Sequence, residues 1–230
     1  TYILKSKPGK FLVFNEHFAV LLLFLRSFLR TNFSIFARNI STLSIKNKIE
    51  ESFWQKYIVN ALIGYFYRKV DLVISQSNGM KNDLIKNYGF DAAKIITISN
   101  PLNSIIEENC LTAVNNEELR GNFILCVGRL EKEKGFNYAI EAFAKVAPMF
   151  PGLRLKFIGT GSLENHLDGI AEGLGVREKV DFEGFQENVV PYYRQASLTL
   201  LTSFYEGFPN VLIESIALGT PVVAFDCSSG

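Results

Sequence analysis

Residues 203–224 read SFYEGFPNVLIESIALGTPVVA, with the β-rich run LTLLT (198–202) before them and PVVAF (221–225) overlapping their end. Between the two runs lie a loop holding Glu206, Gly207, Phe208 and Pro209, then an apolar helical run that carries Glu214. A strand, a helix and a second strand in that order pair in parallel through a right-handed crossover.

The same alternation extends upstream. FILCV (123–127) leads to a helix over 136–146, LRLKFI (153–158) to one over 163–174, and KVDFEG (179–184) to a short one over 189–195. In the first half, FLVF (11–14) leads to an apolar helix over 19–29. SIFA (34–37) precedes a longer helical stretch over 49–69, DLVIS (71–75) precedes a helix over 80–88, and IITIS (95–99) closes the series. The runs LVI, FILCV and VVAF suit strands buried on both faces. The alternation breaks after Asn100-Pro101 in the polar segment EENCLTAVNNEELRGN. The chain therefore reads as α/β, with two parallel-sheet domains. The first spans 1–103, a connection spans 104–121, and the second domain spans 122–230.

Composition agrees with this division. Of 230 residues 48% are hydrophobic, enough for sizeable cores. Net charge is +1, but residues 1–103 carry 14 Lys and Arg against 6 Asp and Glu, and residues 104–230 carry 10 against 17. A basic half that faces anionic lipid or a phosphate-bearing acceptor is one reading, and an ordinary mixed surface is the other. No nucleic-acid partner is expected. Cys110, Cys126 and Cys227 have no metal-type spacing and form no even framework, which favours a reduced, cytoplasmic setting. The longest apolar run, Phe18–Leu25, has eight residues. A membrane span needs about 20. The chain starts at Thr1 rather than Met and stops just after a strand-like run, so a fragment is expected.

In sheets of this kind ligands sit at the carboxyl ends of the strands. Four loops of the second half fall there: GRLEKEKG, GTGS, GFQEN and SFYEGFP. In the last, Pro209 suits a first helical turn, whose free N–H groups favour an anion. Gly207 permits close approach of a ligand to the backbone. Glu206 suits hydroxyls rather than the anion, and Glu214 suits two neighbouring ribose hydroxyls. A nucleotide sugar has that layout, whereas acids near a helix start can equally serve the helix dipole alone. Arg129 and Lys134, five residues apart, provide cations for a diphosphate. The alternative is that Lys132 and Lys134 pair with Glu131 and Glu133 on a solvated turn. GTGS lacks the third glycine of a dinucleotide fingerprint and reads as a tight turn. Gly184 and Phe185 either admit a base to the backbone or end a strand. His17 follows the first strand and could face a crevice, and His166 sits on a polar helix. No His/Cys/Asp cluster has metal spacing, and no GxSxG or P-loop is present.

VGRLEKEKGF (127–136), FIGTGS (157–162), FEGF (182–185) and residues 203–224 together resemble the second domain of retaining family-4 glycosyltransferases. DLVISQSNGMKNDL and KIITISNPLN (94–103) resemble the end of that family's first domain. The resemblance implies a GT-B fold, two Rossmann-like domains with the active site between them. It implies transfer of a sugar from a nucleotide donor, a UDP-sugar, with retention and without a bound metal or other cofactor. It places Arg129 and Lys134 on the donor diphosphate, Glu206 near the sugar hydroxyls and Glu214 on the ribose. The backbone of Gly207, Phe208, Asn210, Val211 and Leu212 would cradle sugar and phosphate, and Gly184 and Phe185 would hold the base. A front-face reaction is implied, in which the leaving phosphate takes the acceptor's proton.

The family's opening glycine-rich loop and its closing helix have no counterpart in the sequence. Many members carry a His after the strand equivalent to SIFA, where this chain has Arg38-Asn39. A cation there either meets an acceptor phosphate or donor sugar, or caps a strand. His17, Arg38 and Asn39 are thus the acceptor-side candidates. The expected acceptor is a lipid-linked or surface glycan in polysaccharide biosynthesis. Peripheral contact with the cytoplasmic membrane face is read from the basic half and from the apolar helix with Arg26 and Arg30. A buried crossover helix accounts for the same apolar run. The competing reading is a truncated or degenerate nucleotide-sugar-binding module without transfer activity.

Overall fold

The computed structural model describes residues 9–45, 60–110 and 120–227. These residues form two compact units: those up to Asn100 with Tyr205–Phe208, and those between Pro101 and Phe204 with Pro209–Cys227.

The first unit holds four parallel strands, β1 (Lys10–Val13), β2 (Ser34–Arg38), β3 (Leu72–Ser75) and β4 (Ile95–Thr97), in the order β1-β2-β3-β4. Val13 pairs with Ala37, Ala37 with Val73 and Ile74 with Ile96. Helix α1 (Glu16–Phe28) starts where the extended Asn15 turns its side chain to accept the His17 amide at 2.7 Å. It buries Ala19, Val20 and Leu23 and exposes Phe18, Leu21, Phe24 and Phe28. Helix α2 (Asn60–Phe66) continues into a 3-10 turn, Tyr67–Lys69. The helix expected over 49–69 is therefore seen from residue 60, and its earlier part lies outside the described residues. Helix α3 (Asn78–Tyr88) is capped by Ser77 and ended by Gly89 at φ 65°. Ile35, Ala37, Val73, Tyr67 and Leu84 meet in the core.

The second unit holds β5 (Phe123–Val127), β6 (Arg154–Ile158), β7 (Val180–Phe182), β8 (Leu198–Leu201) and β9 (Val222–Ala224), all parallel, in the order β7-β6-β5-β8-β9. Its helices are α4 (Ser104–Cys110), α5 (Phe136–Val146), α6 (Glu164–Gly173), α7 (Val190–Gln195) and α8 (Asn210–Ala217). Adjacent residues of β5 face opposite cores. Cys126 packs with Ile140, Phe143 and Leu167 of α5 and α6, whereas Phe123 and Leu125 pack with Ile106 of α4 and Tyr193 of α7. Helices on both faces explain why FILCV is apolar throughout rather than alternating. Of the connection expected over 104–121, residues 104–110 form α4 and place Ile106 in this core; 111–119 lie outside the described residues. A single inward isoleucine in a polar run gives little helical periodicity, which is why the sequence reads as a linker there.

On the β6–β7 ribbon, Arg154 donates to Asp181 at 2.7 Å and Lys156 to Glu183 at 2.6 Å. The Arg154 hydrogen bond, aided by the charges of Arg154 and Lys156, holds the Asp181 carboxyl below its usual range against the effect of burial. A carboxylate whose folded pKa is lowered stabilises the fold above its unfolded value, about 4, and loses that contribution as pH falls. Asp181→Asn should therefore cost about 0.5–1 kcal/mol at pH 7, the range of a part-exposed pair. The variant and the wild type should converge in thermal stability as pH drops below about 4. A difference that persists unchanged at pH 2.5 would show that the cost is not electrostatic.

Candidate active site

In the second unit the chain runs from β5 to β6 and β7 on one side, then returns to β8 on the other. The carboxyl ends of β5 and β8 therefore form the point where strand order reverses, the place where such sheets bind ligands. Three of the loops predicted from sequence, and the fourth as far as Phe204, converge there, laced by main-chain bonds. Gly128 N donates to Ile158 O at 2.9 Å, Leu130 N to Thr160 O at 3.0 Å, Gly159 N to Gly184 O at 2.8 Å and Phe204 N to Glu133 O at 3.0 Å. The Thr202 hydroxyl donates to Lys134 O at 2.9 Å. This closeness requires glycine. A Cβ on Gly159, which has φ 131°, would lie 2.1 Å from Gly128 O, and one on Gly135, with φ 57°, would lie 2.4 Å from Thr202 O.

Lys134 ends a 3-10 turn and lays its stem across the end of β5. A Cβ on Gly128 would meet its Cε at 3.3 Å. Arg129 is largely exposed and its guanidinium pairs with Glu133 at 2.7 Å. Of the acids on that turn, Glu133 meets Arg129. Glu131 instead accepts from the Ser162 amide at 2.9 Å and hydroxyl at 2.8 Å, which lowers its pKa. GTGS is accordingly a turn fastened to the β5 loop. Gly184 has φ 68°, and Phe185 projects with 76% of its surface exposed.

Asn210, Val211, Leu212 and Glu214 lie on α8. Pro209 is not the first helical residue, as its sequence position suggested, but the cap. At φ −81° and ψ 77° it stands outside the helix, and its carbonyl accepts from Leu212 N at 3.0 Å. Glu214 accepts from the Tyr193 hydroxyl at 2.9 Å. Burial, and then the Glu214 charge, push the Tyr193 pKa up. The sequence gives no sign of this partner, because the two residues meet only through the packing of α7 on α8. A carboxylate has about four acceptor positions, so one such bond leaves room for a ribose.

Glu206, Gly207 and Phe208 group with the first unit. There Glu206 O accepts from the Thr42 hydroxyl at 3.4 Å, and a Cβ on Gly207 would lie 2.6 Å from Ile40 O. The close approach that Gly207 permits in this structure is that of the Ile40 carbonyl.

The acceptor-side candidates lie at the carboxyl ends of β1 and β2. The His17 ring is 2.8 Å from Asn15 Oδ1. Arg38 ends β2, donates to the Asn100 side chain and lies 5.6 Å from the Phe14 ring centre. Asn39 is 3% exposed, accepts from the Tyr67 hydroxyl and donates its amide to Ile74 O at 2.9 Å. It anchors the end of the strand. Burial, and then the charge of Glu16, raise the Tyr67 pKa, so its hydroxyl stays a donor.

Among the described residues no three His, Cys, Asp or Glu side chains gather as a metal site, and no helix is long and apolar enough to cross a membrane. A cavity of about 340 Å³ lies between α5 and α6, lined by Glu131, Lys132, Phe136, Leu163, His166 and Phe204. None of the predicted donor-binding residues lines it.

The family model "Glycosyl transferases group 1" matches residues 111–230, and "Glycosyltransferase Family 4" matches residues 4–104. The chain belongs to the group 1 glycosyl transferases. Its relatives in this family include an uncharacterized glycosyltransferase of Haemophilus influenzae, 37% identical over 141 residues, covering 61% of this chain and 38% of that protein. Another is N-acetylgalactosamine-N,N'-diacetylbacillosaminyl-diphospho-undecaprenol 4-alpha-N-acetylgalactosaminyltransferase of Campylobacter jejuni, 34% identical over 169 residues, covering 74% of this chain and 45% of that protein. The group 1 chain thus spans less than half the length of these two relatives. Among solved structures it resembles the lipopolysaccharide outer core galactosyltransferase WaaB, with TM-score 0.70 at 22% identity, covering 100% of this chain and 59% of that one. It also resembles Anabaena HepE in complex with UDP, with TM-score 0.72 at 19% identity, covering 97% and 61%. The fold is that of the GT-B glycosyltransferases.

Proposed function

We propose that this group 1 glycosyl transferase moves a sugar, with retention, from a UDP-sugar to a lipid-linked or surface glycan acceptor. The observation that carries this reading is the convergence of the β5, β6, β7 and β8 loops where strand order reverses, with Lys134 laid across the end of β5. The UDP complex of HepE and the undecaprenol-diphosphate substrate named for the Campylobacter relative support the donor and the acceptor classes.

Departure of the nucleoside diphosphate builds negative charge on its terminal phosphate. Lys134, Arg129 and the amino end of α8 are assigned to that charge, because prearranged charge and dipoles are the strongest catalytic lever open to such a site. Arg129 would exchange Glu133 for phosphate. Glu206 is assigned to the sugar hydroxyls and Glu214 to the ribose. In a front-face reaction the acceptor oxygen bonds to the anomeric carbon on the face the phosphate leaves, and the leaving oxygen takes the acceptor's proton. This scheme assigns the charge to the chain's own cations, so transfer should survive excess EDTA. Loss of transfer on chelation would count against it.

Transfer is tested by incubating the chain with UDP-sugars and undecaprenol-diphosphate-linked acceptors and following the released UDP. UDP binding without release from any donor would leave a binding module. Glu214→Ala should weaken UDP about tenfold, yet leave a 2′,3′-dideoxy analogue of UDP nearly unaffected, since a hydrogen bond to a charged group contributes about 1.5–3 kcal/mol. Equal losses for both ligands would remove Glu214 from the ribose. The exposed Phe18, Leu21, Phe24 and Phe28 on α1, with Arg68 and Lys69 nearby on the 3-10 turn, support peripheral contact with an anionic membrane. The chain should float with phosphatidylglycerol vesicles at low salt, and failure to float would remove the membrane contact.

A further inference from the structure

One buried polar group at the carboxyl edge of the second sheet is not accounted for by the fold. Ser203 is 1% exposed, and its hydroxyl has no hydrogen-bond partner among the described residues. Buried hydroxyls are normally paired, so an orphan one calls for an explanation.

Its direction follows from its neighbours. Thr202 turns its hydroxyl to Lys134 O, and the Phe204 ring packs edge-on against Tyr138 of α5 at 5.8 Å. Leu200 packs on the core that contains Phe136 and Phe143. Even-numbered residues of this run therefore face α5. Thr199 faces the other way and accepts from the Ser215 hydroxyl of α8 at 2.8 Å. β8 ends at Leu201, and with Thr202 and Phe204 both directed to the α5 side the serine between them is turned to the α8 side. On that side α8 begins without a side-chain cap, since Pro209 offers its helix only a carbonyl. A helix start that lacks a side-chain acceptor and a buried donor that lacks any acceptor thus occupy the same side of the same strand end. Both need an anion.

We propose that Ser203 is a donor-binding residue whose hydroxyl donates to a diphosphate oxygen of the nucleotide at the amino end of α8. This rests on the nucleotide-sugar reading above.

Calorimetric titration of the chain with UDP and with uridine tests it, alongside Ser203→Ala and Ser203→Cys. Ser203→Ala should weaken UDP about tenfold, leave uridine within about twofold, and leave the melting temperature unchanged or raised, because the hydroxyl makes no bond within the fold. Ser203→Cys keeps the volume with a weaker donor and should fall between. Should the alanine variant fail to fold, the UDP-to-uridine affinity ratio of the cysteine variant gives the same reading. A wild type that binds UDP, with an unchanged ratio in the variants, overturns the role of Ser203 alone. A lower melting temperature with unchanged UDP affinity overturns it too, by showing a structural role. A wild type that ignores UDP overturns both this inference and the nucleotide-sugar reading.

Discussion

Replacing Lys134 by alanine should weaken UDP binding about thirtyfold and leave uridine within about twofold, because a hydrogen bond to a charged group contributes about 1.5–3 kcal/mol and each 1.4 kcal/mol is tenfold. The lysine stem crosses the end of β5 above Gly128, and its backbone carbonyl is fixed by Thr202. The ammonium is thus presented from an anchored turn, so little ordering cost is incurred on binding. Alanine removes the packed stem as well as the charge. Lys134→Met keeps most of the stem and should lose nearly as much UDP affinity with a smaller change in melting temperature. The wild-type affinity should also fall as salt is raised, and the methionine variant should show a weaker salt dependence. Calorimetry at two ionic strengths checks both. Equal weakening of UDP and uridine would mean that Lys134 shapes the loop rather than meeting phosphate.

The second large effect concerns the frame beneath that loop. Gly159→Ala should destabilise the second unit by roughly 3–5 kcal/mol, the range of large, mechanism-specific losses. Two costs combine. The backbone at φ 131° is one that residues with a Cβ rarely adopt, and the new Cβ would overlap the Gly128 carbonyl at 2.1 Å. Neither neighbour can yield cheaply, since Gly128 N is bonded to Ile158 O and Gly159 N to Gly184 O. The melting temperature should fall by about 10 °C, at roughly 2–4 °C per kcal/mol for a domain of this size. Gly173→Ala, where a Cβ meets nothing within 4 Å, is the control and should change it little. A Gly159 variant that melts within about 2 °C of wild type would show that the β5 and β6 loops are not held as closely as the structure has them.

Much of the fold was legible because its strands are short apolar runs between turn residues. FILCV and the helix over 136–146 match β5 and α5 end for end. Two parallel sheets followed from the alternation itself. Helix α4 was not legible, since only its burial among Phe123, Leu125 and Tyr193 makes that polar segment helical. Pro209 suggests a helix start one residue earlier than the one observed. Proline fixes φ but not ψ, and ψ 77° puts it outside.

At the site, the convergence of four loops could be foreseen from strand polarity alone, but their fastening could not. The partners Tyr193–Glu214, Arg129–Glu133 and Glu131–Ser162 depend on side-chain directions set by packing. Ser203 is inconspicuous in the sequence for a related reason. A serine in a loop ordinarily faces water, and only its burial between Thr202 and Phe204 makes the hydroxyl conspicuous.

Crystals soaked with UDP would show where the diphosphate sits. Its oxygens are expected about 3 Å from Lys134 Nζ and from the first amides of α8, at the carboxyl ends of β5 and β8. A nucleotide bound elsewhere on the chain, with Lys134 and the start of α8 left untouched, would contradict the assignment.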